Sequence, residues 1–384
     1  MNKFLKIISS LFLILLFETS ISYSQEAKIK IGVLVPLSGE NAFLGKQILN
    51  SIRMALIDIK NNDIEIYPKD TRSDPDMTLR SALEFEQMGI SLVIGPIFHE
   101  NLLFLDRVKN ITFLSLTNKT LDLHKNIISS GINSSSQLST IKKFLKENEI
   151  KKTIFLVPNL NYDLEIKNGI RESKIKFFKQ YNYDTDPTKL TKQIEKITNY
   201  ETRKQNLLDE ILRVENSDDP NKEKIIENLE KKYTLGKVKF DSVIIADFDE
   251  SLKSVTTSLL YTDVSPKKIK FISLNQWFDE TLFKETASQP IGFPSVNKEN
   301  FENFKKEFRK FYASDPSQLS LITYDLVGLI YYLLLQNEFE LTDNFFKKEN
   351  KFKGISGIFQ IKNKKINHEL NFYIVDQDSF IEIF

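Results

Sequence analysis

The side chains best suited to catalysis or metal binding are few and scattered. The three histidines, His99, His124 and His368, are widely separated, and there is no cysteine. No H-E-x-x-H, C-x-x-C or D-x-D-x-D-G spacing occurs, so no metal site is expected. A serine hydrolase would need a G-x-S-x-G elbow, and a nucleotide enzyme a glycine-rich phosphate loop; neither is present. Asp70, Asp74 and Asp76 lie close together, but Asp74-Pro75-Asp76 reads as a helix start, where carboxylates suit the dipole. The expectation is therefore a protein that binds without catalysis and without a cofactor.

Composition narrows what it would bind. Lys and Arg number 53 against 52 Asp and Glu. A near-neutral chain lacks the basic field that nucleic-acid binding requires. The N-terminus reads as a secretory signal over residues 1–24. Lys3 and Lys6 precede an apolar stretch from Ile7 to Phe17, and Ser22 and Ser24 stand at −3 and −1 of a cut before Gln25. Eleven residues of helix reach only about 16 Å, short of a hydrocarbon core of about 30 Å. A cut chain would be exported to the periplasm with no transmembrane anchor. With no cysteine to carry a lipid, it is not expected to be a lipoprotein.

The elements that would position a site alternate between strand and helix. Lys28–Val35 is β-branched and apolar, and Pro36-Leu37-Ser38-Gly39 ends it. From Ala42 to Ile59, Leu44, Ile48, Ile52, Leu56 and Ile59 recur at helical spacing. Strands follow at Ile64–Pro68, Leu92–Pro96 and Ile111–Leu116, with a helix over Asp76–Met88. After Asn133-Ser134-Ser135-Ser136 the pattern restarts. A helix over Gln137–Asn148 leads to strands at Thr153–Pro158, Ser242–Ala246 and Lys270–Leu274. Such alternation predicts an α/β protein with two Rossmann-like lobes of parallel sheet flanked by helices. Loops that follow the strands then gather at one edge of each sheet.

Residues 200–236 interrupt this rhythm. Sixteen of the 37 are charged, too many for a core element. Leu207, Leu208, Ile211 and Leu212, then Ile225, Ile226, Leu229 and Tyr233, predict a charged helical-hairpin insertion with one apolar seam.

The run KIKIGVLVPLSGENAFLGKQILNSIRMAL, then DTRSDPDMTLRSALEF and LVIGP, resembles the type I periplasmic binding proteins, which include leucine-binding proteins. The second half, with its charged insertion ending in Thr234-Leu235-Gly236, then Phe240-Asp241-Ser242-Val243 and Trp277 after the strand that follows, resembles the penicillin-binding-protein activators of alphaproteobacteria. The resemblance covers residues 28–384. It implies a first lobe over 28–138 and 292–350, and a second over 139–291 and 351–384. It implies a regulator of a peptidoglycan synthase, touching a cell-wall synthase, or alternatively the solute-binding subunit of an ABC transporter for amino acids, touching its permease.

The resemblance also implies a small-molecule ligand between the lobes. By motif its site would take Ser38 and Leu44, then Phe98 and His99, then Ser115, Thr117 and Asn118 from the first lobe. Tyr162, Asp247, Phe248, Asn275 and Trp277 would come from the second. Two departures weaken a free amino acid as the ligand. Ile97-Phe98-His99-Glu100 stands where relatives carry small hydroxyl residues, and Asn275 where they often carry an acid. An amide leaves a buried ammonium group unneutralised, which is costly. Duller roles compete at each position: Trp277 as an apolar cap, Tyr162 as a loop tyrosine, and Ser115 and Thr117 as helix caps.

Overall fold

The computed structural model describes residues 28–160, 162–274, 277–341, 345–346 and 351–384. The expected signal segment, residues 1–24, lies outside the described residues, as does Asn275.

The first half builds a parallel sheet. Strands β1 (Ile29–Val35), β2 (Ile64–Asp70), β3 (Leu92–Ile94), β4 (Thr112–Ser115) and β5 (Ile127–Ser129) lie in the order β2-β1-β3-β4-β5. Val33, Leu34 and Val35 are wholly buried because helices cover both faces. Helix α1 (Ala42–Ile59) puts Ile48, Ile52 and Ala55 into one core with β1 and β3. Helix α2 (Pro75–Gln87) puts Leu79, Ala82 and Phe85 on the other face, against Val93 and Phe113. Asp74 caps α2 as the sequence predicts, its carboxylate accepting from the Met77 amide at 2.8 Å.

The second sheet repeats this order. After α3 (Ser134–Glu147), strands β6 (Thr153–Pro158), β7 (Lys179–Tyr183), β8 (Ser242–Ile245), β9 (Lys270–Ser273) and β10 (Ile291–Ser295) run β7-β6-β8-β9-β10. Helices α4 (Asp163–Ser173), α5 (Pro187–Thr198) and α8 (Asp249–Tyr261) flank it, with the hairpin helices α6 (Tyr200–Glu215) and α7 (Lys222–Glu230) between α5 and β8.

The chain then returns to the first lobe. Helix α10 (Gln318–Gln336), which follows α9 (Lys298–Tyr312), buries Leu326, Ile330 and Leu333 against α1. By length and composition alone α10 could cross a membrane, but Leu321, Ile330 and Leu334 are wholly buried, as in a core helix. Strands β11 (Lys351–Lys353), β12 (Ile358–Lys362) and β13 (Lys365–Glu369) extend the first sheet beyond β5. Only β14 (Asn371–Asp376) and β15 (Ser379–Glu382) join the second.

This corrects the expected lobe boundaries at two places. Residues 351–369 pair with the first sheet, and 292–295 complete the second. Alternation marks 351–369 as strand without saying which sheet receives it. Two contacts decide. Phe359, Ile361 and Ile366 enter the first core. The buried Asp325 carboxylate on α10 accepts the amides of Ile355 and Ser356 at 2.8 and 2.7 Å. The chain therefore crosses between sheets three times: after β5, after β10 and between β13 and β14.

The insertion is a helical hairpin. Leu207, Val214 and Leu229 form its buried seam, with Ile211, Ile225 and Ile226 beside them. Leu208 and Leu212, expected in the seam, are instead 48% and 54% exposed. A helix has room for one narrow stripe, and the next column of leucines turns outward. Buried Arg203 ties the hairpin to its lobe, donating to the Thr198 carbonyl at 3.0 Å, to the Thr234 hydroxyl at 2.9 Å and to the Thr262 carbonyl. A guanidinium suits this place because its donors radiate in one plane toward three separate acceptors.

Candidate functional site

A cavity of about 410 Å³ opens between the lobes at the C-terminal ends of the strands. The turn after β3 builds one wall. Gly95 has φ +99°, and a Cβ there would stand 2.1 Å from the Leu34 carbonyl oxygen, so only glycine lets the chain pass. That turn delivers Ile97, Phe98, His99 and Glu100 to the cavity. The turn after β4 delivers Leu116 to Lys119, and the crossing after β5 delivers Gly131 and Ile132. Trp277 supplies the second lobe's wall, beside Gln137 and Pro294 at the crossings. Gln318, Leu319 and Ile322 close one side from the first turns of α10.

Two buried nitrogens stand out on these walls. His99 Nδ1 and Trp277 Nε1 meet no hydrogen-bond partner among the described residues. Leaving such a group unmatched costs about 1–3 kcal/mol. Burial, and then the Lys119 ammonium, lowers the His99 pKa, against the pull of Glu100, Glu165 and Asp122. The ring is thus neutral at neutral pH and can offer or accept one proton. The cation of Lys119 faces Glu100 at 3.8 Å near the rim. The Thr117 hydroxyl accepts the Lys119 amide at 3.2 Å, which leaves its proton free to be given. The indole packs edge-on against Phe301, centroids 5.7 Å apart, which fixes the plane of this wall.

The structure brings together five of the expected site residues: Phe98, His99, Thr117, Asn118 and Trp277. Six others do not line the cavity. Ser38 is exposed, and its hydroxyl donates to Asp70 at 2.5 Å. Burial alone would raise the Asp70 carboxyl, but the Ser38 hydroxyl and the amides of Leu37, Arg72 and Ser38 outweigh it and hold the group below its ordinary value. That bond braces the loop after β1 against the end of β2. Leu44 packs on the first core. Ser115 is wholly buried and donates to the Pro96 carbonyl at 2.9 Å, tying two loops together.

Two second-lobe candidates, Tyr162 and Asp247, turn inward in the same way. The Tyr162 hydroxyl donates to the Ala246 carbonyl at 3.2 Å, with its ring against the second core. Asp247 is 3% exposed, accepting from the Tyr183 hydroxyl at 2.6 Å and from the Phe248 amide at 3.1 Å. Burial raises its carboxyl above the ordinary value, the Tyr183 bond opposing. Phe248 is 42% exposed and lies outside the cavity. Sequence reading missed Lys119, Gln318, Leu319 and Ile322. The α10 residues carried no signal, since they reach the site only through the chain's return to the first lobe.

Two α/β lobes of matching strand order, joined by three crossings around a cavity at their strand ends, define the type I periplasmic binding protein fold. The comparisons agree. Residues 28–198 match the family model described as periplasmic binding protein. No curated protein matches the sequence. Among solved structures, the chain is similar to the C-domain of LpoA (YraM) from Haemophilus influenzae, a regulator of PBP1A, at 14% identity. That match has a TM-score of 0.61 and covers 92% of this chain and 100% of that one. Of full-length LpoA from the same organism, this chain spans 60%. A solute binding protein of an ABC transporter from Rhodopseudomonas palustris BisB5, in complex with 3,4-dihydroxy benzoic acid, matches at 16% identity and TM-score 0.59, covering 93% and 97%. The leucine binding protein LivK from Thermotoga maritima matches at 13% identity and TM-score 0.58, covering 93% and 98%.

Proposed function

We propose that this is a non-enzymatic periplasmic protein that works through protein contacts, as a regulator of a peptidoglycan synthase. The hairpin carries this reading. It is fastened to the second lobe by buried Arg203, and it holds Leu208 and Leu212, one turn apart on α6, out toward solvent. A rigid arm with an outward apolar pair suits a protein partner better than a solute. The likeness to the LpoA C-domain supports it at the level of fold. The test is crosslinking to purified peptidoglycan synthases. Replacing Leu208 and Leu212 with aspartate should abolish the crosslink and leave the melting temperature within a degree or two, since both side chains are exposed. Equal crosslinking by both forms would sink the proposal.

One observation favours a second reading, a solute-binding subunit of an ABC transporter. The cavity holds two unmatched nitrogens, His99 Nδ1 and Trp277 Nε1, amid Phe98, Leu116 and Ile322. Apolar walls with a few convergent polar groups are what small-molecule sites generally offer. A true ligand at 100 times its Kd would add about 2.7 kcal/mol of stability. A melting screen over amino acids, aromatic acids and muropeptides tests it, and no shift across the panel counts against those ligands.

A further inference from the structure

Helix α4 belongs to the second lobe, yet one face of it grips the first. Glu165, Asn168 and Glu172 are spaced three and four residues apart, so they share a face. The Glu165 carboxylate accepts the amides of Thr120 and Leu121, both at 2.8 Å, and the Thr120 hydroxyl at 2.9 Å. Those two residues lie between β4 and β5, directly beyond the cavity wall formed by Thr117 to Lys119. Asn168 donates its amide to the Thr120 hydroxyl at 3.3 Å, and its oxygen is held by Arg171 at 2.5 Å. Glu172 pairs with Lys365 of β13, whose side chain is only 8% exposed. The helix sits close because Gly169 faces Ser134, where a Cβ would stand 2.4 Å from the hydroxyl oxygen. That hydroxyl in turn donates to the Glu165 carbonyl at 2.9 Å.

We propose that this face of α4 is a built-in clamp that sets the angle between the lobes through the chain's own groups. Glu165 supplies a carboxylate to amides that flank the cavity, so the link between the lobes does not rely on whatever the cavity holds. Charge-assisted bonds to two amides and a hydroxyl, together with the buried Lys365 ammonium held by Glu172, make the clamp directional. This goes beyond the regulator reading and holds whether the partner is a protein or a solute.

The experiment uses the mature chain with one spin label on each lobe. The absence of cysteine makes Leu103→Cys and Lys192→Cys, both exposed, specific attachment points. Pulsed dipolar spectroscopy should give one narrow distance distribution. Adding Glu165→Gln and Glu172→Gln should bring in a second, longer-distance population. Hydrogen exchange reads the same clamp without labels. In Glu165→Gln alone, the Thr120 and Leu121 amides should lose protection while the cores of both sheets keep theirs. Unchanged distances together with unchanged exchange at these two amides would overturn the clamp. So would a broad distribution in the parent chain. Crosslinking through Leu208 and Leu212 is read on another element, so loss of the clamp and loss of the regulator reading are separable.

Discussion

The two lobes share a strand order but use their strand ends differently. In the first, the turns after β3 and β4 send Phe98, His99, Thr117 and Asn118 into the cavity. In the second, the turn after β8, which matches that after β3, keeps Asp247 for Tyr183, and the turn after β6 gives Tyr162 to the Ala246 carbonyl. Topology fixes where a side chain starts, while the nearest polar partner fixes where it points. The first lobe captures Ser38 and Ser115 internally but leaves His99 Nδ1 at the cavity without a partner among the described residues. The second satisfies its own and leaves Trp277 to face across.

Mutations can break this contrast, and the largest expected effect lies at the boundary between the lobes. His368, on β13, is buried, with Nε2 3.2 Å from the Ser130 carbonyl, and burial pushes its pKa down to about 4. Between that value and an unfolded value of about 6.5 the unfolded chain binds the extra proton, so stability falls as pH drops through this window. The loss should total about 3 kcal/mol by pH 4. Urea titrations of parent and His368→Gln at pH 7 and pH 4.5 check it, and the pH-dependent gap between the two should shrink on acidification.

Next in size is Tyr183→Phe, which strips buried Asp247 of its hydroxyl donor and should cost about 1–3 kcal/mol. Chemical denaturation measures it, and cavity ligands identified by a melting screen should bind as before. The reverse is expected of His99→Ala. It removes an unmatched nitrogen, so stability should change by under about 1 kcal/mol while ligand affinity falls. Smallest is Thr117→Val, which forfeits one loop bond and should cost about 0.5–1 kcal/mol. If His99→Ala were as damaging as Tyr183→Phe, the contrast between lobes would be wrong.

The fold was legible because its signals are local. The buried strands β1, β3 and β6 are apolar runs, Asp74-Pro75 announces a helix, and the hairpin advertises itself by charge. Destination was less legible. Nothing in Phe352 to Glu369 says that these strands serve the first sheet, because the reason lies at Asp325 and in the first core. The site was half legible for the same cause. Phe98 and Thr117 follow from their places after strands. Ser115 occupies an equivalent place, but the Pro96 carbonyl nearby captures its hydroxyl. Leu208 and Leu212 failed differently, since spacing gives a stripe without saying which of two adjoining columns turns inward.

The three crossings have a consequence for how the molecule is assembled in time. The first sheet is begun by Ile29 and is not finished until Glu369, after all five parallel strands of the second sheet have been made. Neither lobe is a continuous stretch, so no single cut yields a complete half. A ribosome would hold the first lobe open along one flank until Glu369 was made, after every parallel strand of the second lobe, and the connectivity alone imposes that delay.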